Sequence, residues 1–476
     1  MSIIRELARQ WDEWLRKLDE RLIFAFILLV GLFIAIGSGV IFYDEDTQGD
    51  ENYYYQSAVI VKAEPLGWLD EKQIGISESL NSVVQGYSML LPGNDFKNVY
   101  LIQIILYALT GLLIYRLSRF LLGRQASLVV LVFYWINNKH WLHVYNFKPG
   151  IWAIFLVTLC LYVVFKVISR PDRWQQYLWL GISSALLLLA DLRYLPHLLL
   201  MYFILLFTKL QFWSKVKYLA VSGFLLIVLL IPWTIRQYNT FDKFIIISDI
   251  NMLTIDKALN TAAWNKLSVY DNLAELSDDQ FGARFFDISD SLGLTPGELI
   301  YARHQAIGKM VKQEPQHTAD KYADVLKSTD LSVSDIEKEI AIQERKPFLW
   351  KVIRRAGFFW EPFRTNFSYD PLTNEKYFYA PTSKLNNLNR FVTLGLMVPF
   401  LIIGLLAMFR QARMVYALVI LSTLLAHSVV HALTYVQWRY MLPLLPLITL
   451  AGIYGVRFVF RTMLHNNKQP ANNQRT

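Results

Sequence analysis

Apolar runs separated by short polar joints dominate this chain. Each run is about 15–22 residues long, enough for one helix to cross a bilayer. Ten runs predict membrane helices, over roughly 22–42, 98–115, 126–141, 149–168, 176–191, 194–208, 218–235, 390–409, 414–434 and 440–460. The runs at 126–141 and 176–191 are short or polar at their ends. Ahead of the first run, Ile3, Ile4, Leu7, Trp11, Trp14, Leu15 and Leu18 fall on one helical face and charged residues on the other. That periodicity predicts an amphipathic helix over 1–21, lying on the membrane surface. No small-residue cleavage site follows the first apolar run, so 22–42 is expected to persist as a membrane helix. The fold class predicted is an all-α polytopic membrane protein.

Two long polar segments interrupt the pattern. One is 43–97, inside the N-terminal membrane region 22–235. The other is 236–389, expected to form a mainly helical domain outside the cytoplasm. Thr295-Pro296-Gly297-Glu298 reads as a capping box with proline at the first helical position, and Ser334-Asp335-Ile336-Glu337 as a second box. Phe358, Phe359, Trp360, Phe363, Phe367, Tyr369, Tyr377, Phe378 and Tyr379 crowd the approach to the eighth helix, where aromatic side chains suit the headgroup level. The last three helices occupy 390–460, and a polar tail, 461–476, follows.

Composition agrees with the pattern. The chain is 476 residues, 54% hydrophobic, with a mean hydropathy of +0.30. Its net charge of +9 would suit nucleic acid, but the placement of the cations has another cause. Arg116, Arg119 and Arg124 share one joint, Arg170 and Arg173 a second, Lys209, Lys215 and Lys217 a third, and Arg410 and Arg413 a fourth. Arg457, Arg461, Lys468 and Arg475 follow in or after the last helix. With ten helices and the N-terminus inside, all of these segments are cytoplasmic. The expected topology is therefore multi-pass with both termini cytoplasmic, and no nucleic-acid partner is expected. The single cysteine, Cys160, lies in an apolar run and excludes an intramolecular disulfide. Phosphate loops, cysteine-type zinc spacings and nucleophile elbows are absent, so ATP-driven transport and serine hydrolysis have no sequence support.

The remaining polar groups gather at the other ends of the helices. The acidic, tyrosine-rich stretch Tyr43–Tyr55 contains Asp50, Glu51, Tyr54 and Tyr55. His140, His143 and Lys148 lie between helices three and four. Asp191, Arg193 and His197 lie between five and six. Arg236 follows helix seven, His427 and His431 end helix nine, and Arg439 precedes helix ten. Isolated arginines at helix ends are normally interfacial anchors. Both signs recurring at one face suggest more. A carboxylate can take a proton from an acceptor hydroxyl, while cations stabilise charge growing on a departing phosphate. Arginine's planar fork suits phosphate oxygens. The i, i+4 pair His427/His431 could hold a metal, but on an apolar helix such a pair more often bonds between helices.

Five short motifs resemble those of the GT-C superfamily of membrane glycosyltransferases, in its bacterial protein-mannosyltransferase and aminoarabinose-transferase-like branch. Gly49-Asp50-Glu51, with Tyr54 or Tyr55 and Ala58, looks like the first-loop pattern that carries the catalytic aspartate. Gly86-Tyr87-Ser88-Met89-Leu90-Leu91, then Gln103 and Leu113-Ile114-Tyr115-Arg116, resembles the entry to helix two. Ala190-Asp191-Leu192-Arg193-Tyr194 is similar to an arginine-containing turn. Ile231-Pro232-Trp233-Thr234-Ile235-Arg236 is similar to a Pro-Trp-x-x-Arg segment. Arg439-Tyr440-Met441-Leu442-Pro443 resembles an Arg-Tyr-x-x-Pro motif. The likeness covers about 22–240 and 390–460. Three positions depart from the pattern: Gln85 replaces a proline, Gln237 replaces an asparagine, and Val144–Pro149 holds no carboxylate. The last departure argues against a two-carboxylate metal site.

The resemblance implies an inverting glycosyltransferase with a polyprenyl-phosphate-linked sugar donor and a lipid, glycan or protein acceptor in the cell envelope. Asp50 would be the base, with Glu51 beside it. Arg236, Arg439 and Lys148 would face the donor phosphate. Tyr54, Tyr55, Tyr87, Arg193 and His431 would contact substrate. No cofactor is assigned, and a divalent metal ion is kept as a candidate. Two alternatives stay open. A polymerase or ligase of lipid-linked oligosaccharides would need no acidic base after helix one. A lipid transporter or flippase would favour midplane charge and internal repeats.

Overall fold

The computed structural model describes residues 10, 18–43, 50–66, 79–241, 244–247, 271–276, 280–281, 284–294, 299, 302–303, 306, 350, 352–353, 356–357, 360, 367–370, 375–378, 391–433 and 438–466. Some side chains within helices, those of Asp50 and Arg439 among them, lie outside this description.

All ten expected membrane segments are helical. They are α1 (Glu20–Phe42), α4 (Asp95–Ser118), α5 (Arg124–Trp135), α7 (Gly150–Ser169), α8 (Trp174–Ala190), α9 (Leu195–Leu205), α10 (Phe212–Phe241), α12 (Met397–Arg410), α13 (Met414–Leu433) and α14 (Leu445–Asn466). Seven spans among the described residues are long and apolar enough to cross a bilayer, and α5, α8 and α9 are the shorter three. Two further helices, α2 (Asp50–Ala63) and α3 (Ser79–Ser88), lie outside the runs, and a short one, α6 (Asn138–Leu142), follows α5. Beyond α10 the described residues include α11 (Phe285–Leu292) and an antiparallel hairpin, β1 (Phe367–Asp370) with β2 (Glu375–Phe378).

The expected boundaries shift in three places. The helix expected over 126–141 stops at Trp135, and Asn138–Leu142 forms a separate turn. Helix α10 runs through Pro232 to Phe241, past the expected end at 235. The last helix continues to Asn466, so it takes up the start of the expected tail. The hairpin occupies the aromatic stretch before α12, where a helical domain was expected. The amphipathic segment, apart from residues 10 and 18–21, and both capping boxes lie outside the described residues.

Helix α1 shows why these runs need lipid. Ile23, Ile27, Gly31, Ala35 and Ser38 form one buried stripe, and the helix packs along α4. Leu22, Phe26, Leu29, Phe33, Ile36 and Val40 are exposed on the rest of its surface. A helix apolar on both its packed and its outward faces is stable in hydrocarbon, not in water. Its start is set by Asp19, whose carboxylate accepts from the Arg21 N–H at 3.0 Å. Helix α7 is the most central, buried along nearly its whole length, between α4 and α8. Helices α8 and α10 then pack together, as do α9 and α13, and α5 and α14.

Helices α12 and α14 make the tightest crossing. A Cβ added at Gly404 would collide with the Ala451 carbonyl oxygen, and one at Gly455 with that of Phe400. The two backbones touch only because both positions lack side chains, a small-residue packing common between membrane helices. Gly404→Ala is therefore expected to destabilise the fold by about 1–3 kcal/mol, the usual cost of overpacking. Thermal unfolding of the detergent-solubilised protein should register the loss, and an unchanged midpoint would refute the close crossing.

Candidate functional site

Helices α1, α2, α3 and α4 all bond one irregular segment, residues 143–149, between α6 and α7. Irregular backbone near a membrane must find polar partners within the protein. This segment finds them on several helices. Asn81 and Gln85, both on α3, donate their side-chain amides to the Phe147 carbonyl, each at 2.9 Å. Gln103 of α4 donates to the Asn146 carbonyl at 3.1 Å. Glu51 of α2 accepts the Phe147 N–H at 2.7 Å. Within the segment, Asn146 accepts the Lys148 N–H at 2.7 Å, and the Tyr145 hydroxyl donates to the Ala35 carbonyl of α1 at 2.8 Å.

Aromatic rings brace the same place. Tyr55 stacks on Phe96 and meets Phe147 edge-on, both with centroids 5.3 Å apart. Tyr100 contacts Tyr145 at 5.3 Å and Phe147 at 5.9 Å. Helices α2 and α3 pack closely at Gly86, where a Cβ would clash with Val61 and the Ala58 carbonyl. Lys62 on α2 pairs with Asp95 on α4 at 2.7 Å. The pair is partly exposed and worth at most about 1 kcal/mol.

A small cavity of about 50 Å³ opens beside the braced segment. Tyr54 from α2, Lys148 and Gly150 from the segment and α7, Asp191 and Arg193 from the turn after α8, and Tyr440 from the turn before α14 contribute to its lining. Four stretches far apart in sequence thus converge. Arg193 is fixed by Asp191: Nε to Oδ1 is 2.8 Å and Nη2 to Oδ2 is 2.7 Å, with both side chains largely buried. Its guanidinium lies 4.3 Å from the centroid of the Tyr440 ring. Behind Tyr440, His431 stacks at 4.3 Å, and His427 contacts His431 and bonds the Tyr440 carbonyl at 2.7 Å through Nε2. Tyr194 stacks on His427 at 5.1 Å.

The sequence-based candidates therefore separate. Tyr54, Lys148 and Arg193 line one cavity. His431 backs it through Tyr440. Glu51 and Tyr55 hold the 143–149 segment. Tyr87 is exposed, and its hydroxyl donates to the Pro65 carbonyl at 2.7 Å, away from the lining. Arg236 is buried in a different cluster, donating to Gln237 at 2.7 Å and lying 5.2 Å from the Trp233 ring. Trp233 and Gln237 both donate to the Ile247 carbonyl, at 2.7 and 2.6 Å. Asp50 is the first residue of α2, four positions before Tyr54, and Arg439 directly precedes Tyr440. The side chains of these two lie outside the described residues.

Sequence reasoning did not anticipate Asn81 as a brace or the Tyr440 platform. Gln85 did stand out, as a departure from proline, and the bond to Phe147 gives a physical reason for an amide there. His427 and His431 do make interhelical contacts. Among the described residues no group of three His, Cys, Asp or Glu side chains could hold a metal ion. Glu51 accepts from the Phe147 backbone and Asp191 from Arg193, so neither is arranged toward a metal.

Comparison with known proteins bears on this arrangement. Residues 81–235 match the family model of dolichyl-phosphate-mannose-protein mannosyltransferases. The fold is similar to that of an archaeal oligosaccharyltransferase, AglB from Archaeoglobus fulgidus, solved with an inhibitory peptide and a dolichol-phosphate. That match has a TM-score of 0.52 and 13% identity, and covers 96% of this chain and 53% of the other. The likeness is one of fold. The apo form of the Archaeoglobus fulgidus oligosaccharyltransferase matches with a TM-score of 0.50 and 12% identity, over 93% of this chain and 51% of that one. The chain thus spans about half the length of these solved structures. No curated protein matches it by sequence. The family-model match covers the 143–149 segment and the Asp191–Arg193 turn.

Two outcomes follow from the geometry. Glu51→Ala should strand the Phe147 N–H at a cost of about 1–3 kcal/mol, whereas Glu51→Gln keeps an acceptor. Hydrogen exchange across 143–149 should rise in the alanine variant and much less in the glutamine variant; equal protection in all three proteins would sink the brace. Asp191→Ala should cost about 3–5 kcal/mol by leaving the Arg193 charge buried. Adding Arg193→Met should restore much of that stability, as thermal unfolding of the single and double variants would show.

Proposed function

We propose that the protein is an inverting glycosyltransferase, moving a sugar from a polyprenyl-phosphate-linked donor to a lipid, glycan or protein acceptor of the cell envelope. The acceptor oxygen attacks the anomeric carbon as its bond to the donor phosphate breaks. The acceptor proton goes to a carboxylate, and polyprenyl phosphate departs with the bonding electrons. Asp50 is assigned as the base. The observation that carries the reading is the cavity itself. It joins Tyr54, one turn after Asp50 in the same helix, to a lysine and an arginine from two other stretches.

Lys148 is assigned to the donor phosphate, with Arg439, the neighbour of the lining residue Tyr440, as its second cation. Arg193 is neutralised by Asp191, so it suits sugar hydroxyls and the shaping of Tyr440 better than a full phosphate charge. Arg236, held by Gln237 beside Trp233, was a third phosphate candidate and in this reading supports the wall. Glu51 positions the segment that carries Lys148.

The reaction is placed on the periplasmic side of a bacterial inner membrane. The support is charge: arginines cluster in the joints after α4, α7 and α12 and at the end of α14, all opposite the cavity. That arrangement leaves both termini cytoplasmic.

The test is transfer in reconstituted membranes, with labelled polyprenyl-phosphate sugars as donors and envelope extract as acceptor. Asp50→Asn should lower transfer by roughly 10²–10⁴, the usual worth of a general base, and Lys148→Met should weaken donor use. Wild-type transfer by the asparagine protein would overturn the base assignment. Passage of labelled lipid across the bilayer without covalent transfer would favour a transporter.

A further inference from the structure

A second cavity, about 760 Å³, lies at the opposite end of the bundle. Helix α4 is 24 residues long and leads from the candidate site to this cavity, a separation of about 36 Å. The lining is built from three places: the 119–123 joint between α4 and α5, the 411–413 joint between α12 and α13, and the last turns of α14. Arg119, Arg413, Arg457 and Arg461 all contribute, and among the described residues no aspartate or glutamate does. Glu20 approaches Arg119 only to 3.9 Å, with both side chains about a third or more exposed.

Arg413 is held in place. Arg413 donates to the Leu121 carbonyl at 2.8 Å, tying one joint to the other. Its own N–H bonds the Met408 carbonyl at 3.1 Å, across a turn in which Ala412 adopts a left-handed φ of 55°. Its guanidinium lies 5.6 Å from the Tyr454 ring, whose hydroxyl donates to Gln411 at 2.6 Å. Interfacial arginines that serve only as anchors point separately to water. These share one concave space.

The walls are not purely polar. Phe120, Leu121, Leu122 and Phe458 line the same cavity, and Phe460 and Met463 are exposed on the adjoining turn of α14. A basic recess with apolar flanks at the ends of membrane helices matches an amphiphile with an anionic head.

We propose that this cavity binds the phosphate of an anionic phospholipid headgroup, with the acyl chains against the apolar flank of α14. The site is independent of the transfer reaction. Guanidinium–phosphate hydrogen bonds supply the recognition, so inorganic phosphate shares the chemistry but lacks the apolar contact.

The test uses the full-length purified protein in neutral detergent. Lipid retention is read by native mass spectrometry, and the thermal midpoint is followed with added phosphatidylglycerol, phosphatidylcholine or inorganic phosphate. Wild type should retain phosphatidylglycerol and be stabilised by it, but not by phosphatidylcholine. Arg457→Gln with Arg461→Gln should weaken that response about tenfold or more per arginine. Arg170→Gln with Arg173→Gln, an equal charge change on the exposed joint after α7, should leave it intact and serves as the control. Stabilisation by millimolar phosphate alone, to the same extent, would assign a free-anion site and overturn the lipid. Equal phosphatidylglycerol binding by wild type and the double variant, both monodisperse, would overturn the cavity altogether.

Discussion

The geometry of the candidate site depends on how one stretch of irregular backbone is satisfied. Residues 143–149 cross the mouth of a bundle whose helices are apolar nearly all round. An unbonded amide or carbonyl there would cost several kcal/mol. The chain answers with side chains from helices far away in sequence: two amides on Phe147 O, a third on Asn146 O and a carboxylate on Phe147 N. These bonds hold α2, α3, α4 and the start of α7 in one arrangement. Lys148 follows immediately, so its position is a by-product of the brace. The same logic explains why α2 and α3 approach each other so closely at Gly86: any larger residue would push Glu51 and Gln85 apart.

The second constraint is the buried ion pair. Asp191 and Arg193 are two residues apart on a short turn, and neither could be buried alone. Paired in two places, they present a planar guanidinium edge to the cavity and its face to Tyr440. The stack continues through His431 and His427 to Tyr194, linking α13 to the turn before α9. A buried pair of this kind contributes little net stability compared with an apolar pair, but its removal by halves is costly. Its value is orientation, because it fixes where a polar group can stand in an otherwise apolar wall.

Much of this was legible in the sequence. Hydrophobic runs located ten helices, and among the described residues seven spans are long and apolar enough to cross a bilayer. The split of helix three was only partly legible: Asn137–His140 is polar, but nothing in the sequence shows that the His140 and Trp141 side chains bond the Tyr134 and Trp135 carbonyls and so fix the break at 136–137. The grouping of Tyr54, Lys148 and Arg193 followed from their shared end of the bundle. Which tyrosine faces the cavity did not. Tyr54 and Tyr55 are adjacent on one helix, so their side chains diverge by about 100°, and only packing against Phe96 and Phe147 decides which one turns inward. The amide brace was hidden because an asparagine or glutamine in an apolar helix gives no sign of its partner.

The distribution of charge closes the argument. At the candidate site, the described carboxylates are matched by donors, with Glu51 on a backbone N–H and Asp191 on a guanidinium. At the opposite end, four arginines line one cavity, and among the described residues no carboxylate joins them. A membrane protein can leave cations at a bilayer surface because anionic headgroups and water both solvate them. It cannot do the same with carboxylates near lipid, which must find protein donors. The two ends therefore obey one rule with opposite results: the described acidic groups become structural where the chain is irregular, and basic groups gather where headgroups and water can solvate them.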